Sequence, residues 1–170
     1  MKMGNVKEGW VGRFFEDFHV GDIYRCRLGR TITEADNIQF TLLTNNSNQI
    51  HFNAHYASLT EFKRPLVNSA MTLSVVAGLG VADVSENGFA LGWDYIKLPS
   101  PVFPGDTLYS ESEVISARES KSRPEQGIVK VRTRGVNQDG LVVIEYERSV
   151  MVWKKAHAPR MALFPEVKSG

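Results

Sequence analysis

Apolar and basic side chains partly alternate from Ile23 to Ile32, behind a Val20-Gly21-Asp22 turn, and this predicts a strand. Thr33 is a good helix N-cap, Glu34 and Asp36 suit the positive end of a helix, and Ile38, Leu42 and Leu43 recur at helical spacing, so a helix should run to about Asn45. The next five residues, Asn45 to Gln49, hold three asparagines and no apolar side chain, as a turn would. Asn53 can cap a short helix from Ala54 to about Phe62, ended by Lys63-Arg64-Pro65. Asn68 or Ser69 can cap another from Ala70 to Ala82, apolar around most of its circumference and therefore expected to be buried. Strand patterns follow over 88–98, 107–118, 128–137 and 141–153, and Asn137-Gln138-Asp139-Gly140 is a hairpin signal between the last two. One strand, then helices, then four strands predict an α+β layout, an antiparallel sheet curled around a central apolar helix. Such a sheet leaves its edges open, which a symmetric dimer would close.

Composition narrows the function. The 170 residues, 42% apolar and 23% charged, are expected to form one domain over 1–153 with a tail over 154–170, and the sequence leaves open whether that tail wraps a partner. A net charge of +1 supplies no field to gather a nucleic acid. Cys26 is the single cysteine, so no intramolecular disulfide or cysteine-built metal site can form within the chain, and a reducing compartment is expected. No export signal is visible, and the apolar run from Ala70 to Ala82 is far short of the roughly 20 residues that span a bilayer. These features predict a soluble, cytoplasmic protein with no membrane partner.

Four segments carry a resemblance: Phe15-Glu16-Asp17-Phe18 with Val20-Gly21-Asp22; Asn48-Gln49-Ile50-His51-Phe52-Asn53; Phe62-Lys63-Arg64-Pro65-Leu66-Val67-Asn68-Ser69; and Pro101-Val102-Phe103-Pro104-Gly105-Asp106-Thr107-Leu108. In this order and spacing, from about Phe14 to Trp153, the chain resembles the MaoC-like dehydratases, the (R)-specific enoyl-CoA hydratase group of the hotdog fold. The run from Arg118 to Gly140, with Ser120-Lys121-Ser122-Arg123-Pro124, is more similar to the mesaconyl-, itaconyl- and methylmalyl-CoA hydratase branch. The resemblance implies a hotdog fold, an acyl-CoA substrate, no separate cofactor, and a homodimer or a higher homo-oligomer such as a trimer of dimers. It also implies a water-holding Asp and His five positions apart. The His position is His51, but Asn46 stands at the Asp position. Three further departures are Gln49 for the usual Pro, Asn68-Ser69 for a His-Gly pair that donates a backbone N–H to the thioester oxygen, and Ala77 for a serine.

Hydrating an α,β-unsaturated thioester requires a proton taken from water, a proton given to the α-carbon, and donors for the thioester oxygen. An imidazole exchanges protons near neutral pH, so His51 is the expected acid/base. An amide is not a base, so Asn46, with Asn48, is expected to orient the water. The Ser69 N–H beside Asn68 is expected to polarise the thioester oxygen. Arg118, Lys121 and Arg123, with Arg132 and Arg134, are candidates for the phosphates of coenzyme A, and Arg64 or Arg123 for a substrate carboxylate. His19, His55 and His157 form no metal motif with His51, so no metal is expected. Two other readings stay open: a thioesterase, whose carboxylate would come from Asp36, Glu61 or Asp94, and a non-catalytic acyl-CoA-binding or assembly subunit, for which Asn46 is the argument.

Overall fold

A computed structural model describes Asn5, Lys7 and residues 9–159 of the chain. Its elements run β1 (Ile23–Arg25), β2 (Arg30–Thr31), α1 (Glu34–Leu43), α2 (Ala54–Leu59), α3 (Ser69–Leu79), α4 (Val81–Val84), β3 (Gly88–Lys97), β4 (Thr107–Glu119), β5 (Gln126–Val136) and β6 (Val142–Trp153). The sheet order is β1-β4-β5-β6-β3, all antiparallel, with β2 paired to the far end of β4. This is the expected α+β hotdog layout, with α3 against the concave face. Of the tail expected over 154–170, the part through Pro159 is described and turns back on the sheet, Lys154 N–H donating to the Glu125 carbonyl and Lys155 N–H to the Glu16 carboxylate. The rest lies outside the described residues. No helix among the described residues is long and apolar enough to cross a membrane.

Gly135 fixes where α3 sits on the sheet. A Cβ there would come within 2.6 Å of both Ile144 Cγ2 and Val76 Cγ2, so only glycine lets the helix approach β5 this closely. Two apolar clusters flank this crossing. One gathers Ile32, Val67, Met71, Val76, Val102, Leu108 and Ile144; the other gathers Phe18, Val84, Val114, Val129, Val131 and Val150.

Three expectations need correction. The strand expected over 23–32 is two short strands, because the chain takes five steps from Arg25 to Arg30 while β4 takes three from Glu111 to Leu108, and the surplus loops out. The central helix is not buried all round. Its face of Met71, Thr72 and Val76 is buried, whereas Ser69, Ala70, Ser74 and Gly78 are exposed, because one sheet can cover only one side of a helix. It also stops at Leu79, with Gly80 as its cap, before a short second helix. Helix α1, finally, has rolled away from its apolar stripe: Leu42 and Leu43 are exposed, Leu43 by 83%, while Asn37 and Thr41 are fully buried.

Candidate active site

The Asn-rich turn is built by its own side chains. Asn45 takes the left-handed conformation (φ 54°) that lets α1 end, Asn46 Oδ1 accepts from Asn48 N–H at 3.0 Å, and Asn48 Oδ1 accepts from Ile50 N–H at 3.2 Å. These bonds wind the one-turn helix Gln49–His51 and deliver His51 to a nearly buried position. Its Nδ1 lies 3.0 Å from the Leu66 carbonyl oxygen. A carbonyl only accepts, so Nδ1 carries the hydrogen, and in the neutral ring the lone pair is then on Nε2.

Leu66 also begins the approach to α3. Asn68 is its N-cap, with Oδ1 accepting from Ala70 N–H at 3.0 Å. Among the described residues, the Ser69 N–H has no acceptor, and Ser69 lines a cavity of about 250 Å³ together with Phe62, Leu66, Thr72, Leu98 and Val102. Leu66 therefore bounds the cavity and anchors the imidazole at once. A larger hollow, about 830 Å³, opens between Arg25–Arg30 and the exposed side of α3 at Val75, Gly78 and Leu79. It includes none of His51, Leu66 and Ser69, whereas the smaller cavity is lined by Leu66 and Ser69 and is linked to His51 through the Leu66 carbonyl.

The remaining sequence-derived candidates divide. Asn46 and Asn48 have their side-chain oxygens engaged in turns, which explains both residues without a bound water. Arg64 stacks its guanidinium carbon 3.7 Å from the centroid of Phe103, close to the cavity residues Phe62 and Val102. Arg118, Lys121 and Arg123 lie at the β4–β5 turn, whereas Ser69 lies near the opposite end of β4, so the chain alone does not bring the cationic turn to His51. Arg132 and Arg134 are engaged on the convex face, 3.0 Å from Glu147 and Glu145 respectively. There, hydrogen bonds from Lys130 and then Arg132 hold the Glu147 carboxyl below its ordinary range. Asp36 caps α1 through Thr33 and pairs with Arg30, and Asp94 pairs with Lys130 on the outer face, so neither carboxylate is aimed at the cavity.

Sequence reasoning missed the residue that joins these parts. Asn37 donates to the carbonyls of His51 and Leu66, both at 2.8 Å, and accepts from Asn68 N–H at 2.9 Å. Its one legible signal was its pairing with Thr41, two hydrogen-bonding residues four apart on one helix face.

Comparison with known proteins agrees with this architecture. The chain is 37% identical over 146 residues to a mesaconyl-CoA hydratase of Cereibacter sphaeroides, covering 85% of this chain but 42% of that protein. It is 30% identical over 139 residues to an (R)-specific enoyl-CoA hydratase of Rhodospirillum rubrum, covering 82% of this chain and 91% of that one. The solved structure of a MaoC-domain dehydratase from Chloroflexus aurantiacus superposes with a TM-score of 0.83 at 34% identity, over 96% of this chain and 47% of that one. The chain thus spans less than half the length of the first and last of these and nearly all of the second. The family model described as mesaconyl-CoA hydratase matches residues 3–160, and the chain belongs to that family.

Proposed function

We propose that this module adds water reversibly across the double bond of an enoyl-CoA thioester, with His51 as the single acid/base. The observation that carries the reading is the imidazole itself, its Nδ1 hydrogen committed to Leu66 and its Nε2 lone pair available in the neutral ring, with that same Leu66 lining a cavity whose wall includes a helix N-terminal N–H unbonded among the described residues. Nε2 takes a proton from water, the water oxygen bonds to the β-carbon, and the π electrons move onto the thioester oxygen, where the Ser69 N–H stabilises the charge. The Nε2 proton then passes to the α-carbon, giving a 3-hydroxyacyl-CoA. One group handling both protons implies addition of H and OH to the same face. The steps use no metal or organic cofactor, since coenzyme A arrives with the substrate. Asn46 supports the reaction by shaping the loop, and its free amide hydrogens can hold the water oxygen.

The substrate class follows from the relatives' names and from charge. Mesaconyl-CoA, a branched dicarboxylic thioester, is the first candidate, with Arg64, stacked on Phe103, as the group for its carboxylate. A second module is part of the reading. β3 is an edge strand with Phe89, Leu91, Trp93 and Tyr95 exposed, a surface that isolated modules do not keep in water. Pairing two β3 edges antiparallel about a twofold axis brings the Phe89 end of one module to the Leu98 end of the other. Arg123 stacks on Phe89 and Leu98 lines the cavity, so the partner's cationic turn would then face this cavity and meet the phosphates of coenzyme A.

The test is a hydration assay on crotonyl-, mesaconyl-, itaconyl- and longer enoyl-CoA thioesters, following loss of the conjugated chromophore. Turnover that disappears in His51→Ala supports the reading, and an active His51→Ala sinks it. A protein that binds these thioesters and turns over none is instead a binding or assembly subunit, the role for which Asn46 in place of an acid argues.

A further inference from the structure

We propose that Asn37 is the positioning residue of this site, its one carboxamide setting both the tautomer of His51 and the approach of the helix that carries the Ser69 N–H; the inference rests on the roles just given to those two groups. Asn37 is wholly buried, so no bulk water competes for its atoms. Both amide hydrogens go to carbonyls, His51 and Leu66 at 2.8 Å each, and its oxygen takes the Asn68 N–H at 2.9 Å. Two acceptors on one side and a donor on the other leave only one orientation of the amide possible.

The Leu66 carbonyl is the pivot. One lone pair receives Asn37 and the other receives His51 Nδ1 at 3.0 Å, so the oxygen that orients the imidazole is itself held by Asn37. The N–H of the same peptide, that of Val67, donates to the Val102 carbonyl at 2.9 Å and stops the peptide from turning. On the opposite side, Asn68 is gripped twice by α1, through its N–H to Asn37 and through its amide nitrogen to Thr41 Oγ1 at 3.3 Å. Asn68 immediately precedes Ser69, so the distance between the imidazole and the first free N–H of α3 is set across a single planar group. A base and an oxyanion donor must be held to a fraction of an ångström for efficient proton transfer, and 1 Å of error costs about 10²-fold.

A brace that only held the fold would make the same bonds, so the test needs a readout that stability alone does not move. The ¹⁵N shifts of His51 in the unliganded protein report which ring nitrogen carries the hydrogen. The expected result is the Nδ1–H form in the parent protein and a mixture of tautomers in folded Asn37→Ala. With any enoyl-CoA the parent hydrates, kcat should fall about 10–100-fold while KM stays within about threefold, since geometry and not binding is disturbed. Should Asn37→Ala not fold, Asn37→Asp keeps the shape and the acceptor but removes the donors, and the same loss of the Nδ1–H form is expected. An unchanged tautomer and kcat in a folded variant overturns the proposal. The tautomer is read without turnover, so a parent protein that hydrates nothing yet loses its Nδ1–H form in Asn37→Ala would refute the hydratase reading and keep the clamp.

Discussion

Two buried polar groups of residues flank α3, and they are built differently. At its N-terminal end, the side chains of Asn37, Asn68 and Thr72, with His51 Nδ1, all find partners. On the concave sheet face between the two apolar clusters runs a second set: Ser110, Ser112, Thr133, Tyr146 and Arg148. There the hydroxyls of Ser112 and Thr133 meet at 2.8 Å, but among the described residues Ser110 Oγ and Arg148 Nε have no partner, and Arg148 reaches Ser85 Oγ only at 3.5 Å. Burial pushes the Tyr146 phenol up and the Arg148 guanidinium down from their ordinary values. Burial of polar groups therefore does two different things here. A saturated network permits one geometry and suits a reacting group, whereas an unsatisfied one carries a desolvation cost with little returned.

Breaking the saturated network should have the largest effect. Asn37→Ala strands the His51 carbonyl and the Asn68 N–H, each worth about 1–3 kcal/mol when buried unpaired, and leaves the Leu66 carbonyl with His51 Nδ1 alone, so urea unfolding should report a loss of at least about 2 kcal/mol. Arg148→Met should act in the opposite sense: stability should stay level or rise, by up to about 4 kcal/mol, because a buried cation without a counter-ion is replaced by a side chain of similar length. A marked loss in that variant would mean that the seam is satisfied after all and would erase the contrast.

Smaller changes sharpen the same comparison by loosening α1 without touching its hub. Thr33→Ala removes the hydroxyl that accepts from Asp36 N–H at 3.1 Å and should cost about 1 kcal/mol in thermal or urea unfolding while leaving turnover nearly intact. The smallest effect is a pH dependence. The Thr33 N–H, then its hydroxyl and Arg30, hold the Asp36 carboxyl below the ordinary carboxylate range. Its folded value lies below its unfolded one, so its contribution is full above roughly pH 4 and is lost as pH falls through the folded value. Asp36→Asn should flatten the acid side of the stability profile by that one group's share.

Much of this was legible from local pattern. The strands at the end of the chain, the caps at Thr33, Asn53 and Asn68, and the Asn137–Gly140 turn depend on residues a few positions apart, and all formed. His51 was singled out by the resemblance of its segment, Asn48 to Asn53, to the MaoC-like family. The buried side of α1 was not, because Ile38, Leu42 and Leu43 gave the stronger periodic signal. The burial of Asn37 depends on His51, Leu66 and Asn68, which lie 14 to 31 positions away.

The sequence by itself determined the order of elements and the layout of an antiparallel sheet around a helix, since these follow from side-chain period, caps and turn residues acting over short spans of chain, while the hotdog assignment and the choice of His51 rested on the resemblance of whole segments to a known family. Only the tertiary structure decided which face of α1 and of α3 is buried, which of two hollows shares Leu66 with His51, and which nitrogen of its ring is bonded. Those outcomes turn on where distant carbonyls and N–H groups meet, and a buried polar group takes whatever partner the fold brings within about 3 Å.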